Sequence, residues 1–148
     1  MKLHSTLFIS AVVVAALWQS AAPQSAQAAP PVLSVTPLTW NVIGLDSNTP
    51  ATGPNRFPVG ARVCNAAGAD AAVDVSVSFA WDSANVFVNL RPGSLSVIAL
   101  GSIAASSCAD AYFEVEVDKT AAAFDTTRRY HITATDSATS ATATTAQP

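Results

Sequence analysis

From Leu33 onward the chain alternates apolar and polar residues with a period of two, which restricts its fold more than any other feature. In Val73-Asp74-Val75-Ser76-Val77-Ser78-Phe79-Ala80-Trp81 the odd positions are apolar and the even ones polar or small, and Phe113-Glu114-Val115-Glu116-Val117-Asp118 repeats the pattern. Successive side chains of an extended strand point to opposite faces. Each run therefore has one buried and one wet face, as in antiparallel sheets. Weaker strands are predicted at Leu33–Gly44, Val59–Asn65, Val86–Leu90, Ser94–Leu100 and Arg129–Thr135. Turn-forming residues separate them at Asp46–Pro58, Ala66–Asp70, Arg91-Pro92-Gly93 and Gly101–Ser107. No segment carries a sustained helical stripe, and only Ala121–Asp125 suits a short helical turn. About seven strands predict an all-β fold, an immunoglobulin-like antiparallel β-sandwich. The odd positions from Val73 to Trp81 and from Phe113 to Val117 are its expected core.

The same parity orients the two cysteines. If Val59, Ala61 and Val63 face the core, Arg62 and Cys64 face outward. If Phe113, Val115 and Val117 face the core, Cys108, Asp110, Tyr112 and Glu114 share the outer face. In an immunoglobulin-like order the two strands concerned are antiparallel neighbours, so a Cys64–Cys108 staple on an outer face is expected, in place of a bridge buried between the sheets. Two free thiols or an intermolecular link are the competing arrangements.

Residues 1–28 read as a secretory signal peptide. Lys2 begins it, an apolar run follows from Leu7 to Leu17, and Ala26-Gln27-Ala28 fits the small-x-small cleavage pattern. About eleven apolar residues are too few to cross a bilayer, which needs about 20. No later segment is long and apolar enough to span one, so a secreted or cell-surface protein is expected. The expected division is signal 1–28, sandwich 29–140, and a Thr/Ala-rich tail or linker at 141–148. Only 11% of the residues are charged, against roughly a quarter in ordinary domains. Loss of the signal removes Lys2 and no acid, which leaves six bases against ten acids and a net charge of −4. Scattered bases in an acidic chain argue against nucleic acid as a partner.

The segments "ARVCNAAGADAAVDVSVSFAWD" and "SVIALGSIAASSCADAYFEVEVD" share a cadence. Each has a turn rich in small residues followed by an alternating strand. This cadence resembles the conserved-repeat, immunoglobulin-like domains of bacterial and archaeal cell-surface proteins. Trp81 and the insert Ser83–Pro92 depart from that pattern, and the two cysteines are not general to it. The resemblance implies a structural or adhesive surface role and carries over no functional residue. Partners of the implied kind are other surface domains or an extracellular protein or carbohydrate.

The sequence carries little recognisable chemistry. There is no Gly-x-Ser-x-Gly, phosphate-cradling glycine loop or His-Glu-x-x-His, and a non-catalytic role is expected. His131 is read as a solvent-facing strand residue with no identifiable acid to orient it. Glu114 and Glu116 are read as solvated positions of one strand. Lys119 continues the inward parity of Val117 and is read as a strand-end lysine reaching to solvent. Arg128-Arg129 is expected to balance Glu114, Glu116 and Asp118 across neighbouring strands. No cofactor is expected. Were calcium bound, the loop carboxylate and amide of Asp46 and Asn48 are the first candidate ligands, with Asn55, Asp70 and Asp74 nearby in sequence or turn. Arg56 and Phe57 in one long loop, and Phe87 and Arg91 in the insert, are candidates for a carbohydrate or protein ligand. They are equally suited to cover the open ends of the core.

Overall fold

The alternating segments form eight strands in the computed structural model, which describes residues 29–39 and 42–145. The signal assigned to residues 1–28 and the end of the expected tail lie outside the described residues. β1 (Leu33–Pro37), β2 (Arg56–Asn65), β6 (Cys108–Val117) and β4 (Val88–Leu90) make one antiparallel sheet in the order β1-β2-β6-β4. β5 (Val97–Ile103), β3 (Ala72–Trp81), β7 (Tyr130–Asp136) and β8 (Thr142–Thr144) make the other, in the order β5-β3-β7-β8. The neighbours β1-β2-β6 and β3-β7-β8 have the strand order of an immunoglobulin-like sandwich. The departure lies between β3 and β6. Here the expected insert crosses to the edge of the first sheet as β4, then returns to pair with β3 as β5. The expected turn at Ala121–Asp125 is a single 3-10 turn, Ala121–Ala123, capped by the Thr120 hydroxyl. Thr142–Thr144, expected within the tail, is an edge strand paired with β7.

Parity places the core as anticipated. Val59, Ala61 and Val63 of β2, Val75, Val77 and Phe79 of β3, and Phe113, Val115 and Val117 of β6 are all buried between the sheets. Four aromatics fill the end away from the disulfide. Phe79 stacks on Tyr130 at 5.1 Å, tilts against Phe113 at 5.4 Å and meets the edge of Trp81 at 4.8 Å.

Val73 is a correction. It is 46% exposed, while Ala72 and Val75 are buried. An extra residue lies between the pairs Ala72↔Ile103 and Val75↔Gly101, with Asp74 at φ 55° and Gly101 at φ 72°. This β-bulge reverses the parity of everything before it. The bulge is held by Asp136, a buried carboxylate at the end of β7. Asp136 accepts from the Val73 N–H at 3.1 Å, the Ala138 N–H at 3.2 Å and the Thr139 hydroxyl at 2.6 Å. The Thr139 hydroxyl, followed by these backbone donors, holds the Asp136 carboxyl below the usual carboxylate range against the opposing effect of burial. Asn65 does equivalent work for the first sheet at the same end. Its amide accepts from the Val32 N–H and donates to the carbonyls of Asp70 and Ile103.

Candidate functional site

The outer face of the first sheet gathers Cys64, Cys108, Arg56, Arg91, Glu114 and Glu116 from among the side chains singled out from sequence. β2 and β6 pair in unbroken register from Arg56↔Glu116 to Cys64↔Cys108. The outward parity therefore stacks five cross-strand rows. At one end Cys64 and Cys108 are bridged, with Cα atoms 4.1 Å apart. Closing a loop across a sequence separation of 44 stabilises by about 4 kcal/mol in the chain-entropy account. In the next row the Arg62 guanidinium donates two parallel hydrogen bonds to Asp110, Nε to Oδ1 and Nη2 to Oδ2, both at 2.8 Å. Those bonds hold the Asp110 carboxyl below its ordinary range and push the Arg62 guanidinium up.

The third row is Gly60 opposite Tyr112. A Cβ at position 60 would lie 2.5 and 2.6 Å from ring carbons Cε1 and Cδ1 of Tyr112. The phenol therefore lies against the glycine backbone, and a side chain there would displace it. The residue remains 54% exposed. In the fourth row Glu114 stands opposite Pro58 and accepts from Arg91 Nη1 at 2.6 Å. In the fifth Arg56 Nε lies 3.4 Å from Glu116. Arg56 and Arg91, which sequence put in two separate loops, thus meet the same strand. Their expected partners Phe57 and Phe87 do not join them. Phe57 lies on the inward parity of β2, and Phe87 is half-buried, its carbonyl accepting from the Asp118 N–H.

Arg128 and Arg129 do not balance Glu114, Glu116 and Asp118, because their segment leads into β7 in the other sheet. Arg128 instead lies over the Trp81 ring at 4.2 Å. It donates to the carbonyls of Ser83 and Val88 and to the Asn89 amide oxygen. Burial there lowers its pKa, and burial raises that of Tyr130 beside it. Arg128 is thus a tie between loops. It borders a cavity of about 250 Å³ between the sheets that Val59, Trp81 and Val115 line, next to a second of about 470 Å³ under Leu45 and Phe124.

The calcium candidates meet a local use for their oxygens. Asp46 Oδ1 accepts from the backbone N–H groups of Asn48 at 2.8 Å and Thr49 at 3.3 Å, and Oδ2 from the Thr49 hydroxyl at 3.1 Å. The Asn48 and Thr49 donors lower the Asp46 pKa, as in a carboxylate that shapes its own turn. Asn55 turns away to donate to the Val117 carbonyl. Among the described residues no group of three or more His, Cys, Asp or Glu side chains could hold a metal ion. Lys119 follows β6 and is exposed. The acid missing from the sequence reading of His131 is Asp82, whose Oδ1 lies 2.6 Å from His131 Nδ1.

Compared with models of known protein families and with curated protein sequences, the chain matches none. Besides Asp82, the residues that sequence reasoning missed are Gly60, Asp136 and Asn65. A glycine inside an otherwise alternating strand was the available signal for the first. The other two are polar residues at strand ends, where turn formers are ordinary and nothing in a sequence marks burial.

Proposed function

We propose that the chain is a non-catalytic module of a secreted or cell-surface protein with a structural or adhesive role. The observation that carries this reading is the course of the chain. β1 begins at Leu33, opposite Asn65 beside the disulfide, whereas β8 runs toward the opposite end, where Tyr130 pairs with Trp81. A sandwich threaded from end to end can transmit load or set a spacing. The Cys64–Cys108 bridge supports an oxidising compartment, and no helix among the described residues is long and apolar enough to cross a membrane. Paired strand charges support a rigid surface. The resemblance to repeat domains of surface proteins points the same way.

The test is fractionation of cells making the native protein, with intact mass read before and after reduction. Recovery from the surface or medium is expected, cleaved after Ala28 and gaining the mass of two hydrogens on reduction. Recovery from the cytoplasm, uncleaved and with both thiols reduced, would overturn the reading.

A further inference from the structure

We propose that Tyr112 is the centre of a sugar-binding platform on the outer face of the first sheet, taking a neutral polysaccharide with one pyranose ring stacked on the phenol. This rests on the adhesive half of the reading above and names what would be adhered to. Three observations converge. First, Tyr112 is the one aromatic among the more exposed large apolar residues described. The Cδ1–Cε1 edge of its ring lies against Gly60, and the residue is 54% exposed. Pyranose rings carry an apolar face of C–H groups, and a fixed aromatic plane is a matching surface that costs little conformational entropy to use.

Second, the rows on either side of the ring carry ion pairs, the two-bonded Arg62–Asp110 and the single-bonded Arg91–Glu114, with Arg56–Glu116 one row further. Rows two residues apart along a strand are about 6.8 Å apart, so the pairs flank a stacked ring. Each partner keeps between 29% and 51% of its side chain exposed. Arg62 uses Nε and Nη2 on Asp110, and its remaining N–H groups and the carboxylate lone pairs are available to vicinal hydroxyls. Third, three arginines face three acids, so the strip has no net charge. Charge complementarity then selects a neutral polymer over an acidic or basic one. The Cys64–Cys108 bridge and the unbroken β2–β6 register keep the rows fixed before anything binds.

The experiment is depletion of the purified, disulfide-intact protein by insoluble cellulose, chitin, mannan and β-1,3-glucan, with the soluble oligosaccharide of each as competitor. At least one neutral polymer is expected to deplete it. Tyr112→Ala is expected to weaken that binding by about tenfold or more, while Thr135→Ala on the other sheet leaves it unchanged. Should Tyr112→Ala fail to fold, as judged by near-ultraviolet circular dichroism, Arg62→Lys replaces it, with a severalfold loss expected because the planar fork is gone. No depletion by any of the four, or equal binding by native and Tyr112→Ala proteins, overturns the platform. Neither bears on where the protein resides, so failure here and failure of the surface-module reading are separately visible.

Discussion

The two outer faces of the sandwich use the same backbone pairing for opposite ends. On the first sheet the β2–β6 register sets a disulfide, three ion pairs and an aromatic against a glycine, and gathers three of the chain's five arginines. On the second sheet the outward positions are Ser76, Ser78 and Ala80 on β3, His131, Thr133 and Thr135 on β7, and Thr142 and Thr144 on β8. Its hydroxyls bond mainly within the sheet, as between Thr133 and Thr144 at 2.9 Å. Among the described residues the three arginine–carboxylate pairs thus lie on one face, where complementary side chains fix the strands to each other, and the second sheet carries the His131–Asp82 contact. The second sheet is fixed from inside and from its end, by Ile132, Ala134 and the buried Asp136. Surface chemistry and strand locking coincide on one sheet and are separated on the other.

Replacing Cys64 and Cys108 together by alanine is the severest way to break this contrast. It is expected to lower stability by about 4 kcal/mol, measured by urea denaturation. A loss under about 1 kcal/mol would show that the staple is dispensable to the first face. The lock of the second sheet is expected to fail with acid. The folded Asp136 carboxyl sits below its ordinary value of 3.8. The unfolded chain therefore binds the extra proton, and the stability due to Asp136 is present above that value and lost as pH falls through the lowered folded one. Thermal midpoints should drop in this window, and Asp136→Ala should flatten the drop. An unchanged acid profile in the variant would contradict the assignment.

Arg62→Ala is expected to lower the midpoint modestly, by an amount that shrinks with added salt, because the pair is solvent-exposed. A salt-independent loss would mean that packing, and not charge, ties that row. The smallest effect is expected on the other face. Ser76→Ala and Thr135→Ala should each stay within about 0.5 kcal/mol of the native protein. Larger losses would show that the hydroxyl face is also a lock.

Most of the fold was legible because parity is a strict rule. Once Phe113, Val115 and Val117 face inward, Cys108, Asp110, Tyr112 and Glu114 have no choice, and the outward disulfide follows. What parity cannot show is where it breaks. Val73 continues the alternation without interruption, yet the bulge at Asp74 turns it outward, and the carboxylate that bonds its N–H lies 63 residues away in sequence. Nor does a sequence reveal which outward residues become cross-strand partners. Arg91 sits in a turn-forming Arg-Pro-Gly run that marks a loop, although its backbone N–H bonds the Glu114 carbonyl and its guanidinium bonds the carboxylate. Pairing Arg128-Arg129 with the β6 acids failed because local spacing carries no information about which sheet a strand joins.

The contact at the centre of the first face is the most direct place to test it. Gly60 has an ordinary, non-left-handed backbone, and the Tyr112 ring is what a side chain there would meet first. The measurement is the unfolding free energy of Gly60→Ala in two backgrounds, native and Tyr112→Ala. With the ring present, Gly60→Ala is expected to destabilise by about 1 kcal/mol, as the added methyl lifts the phenol from the strand. With the ring gone, the same substitution should stabilise by roughly 0.4–1 kcal/mol, because alanine restricts the unfolded chain. A change of sign between the backgrounds is the expected result. The same effect in both would contradict the placement of Tyr112 on Gly60, and with it the platform built around the ring.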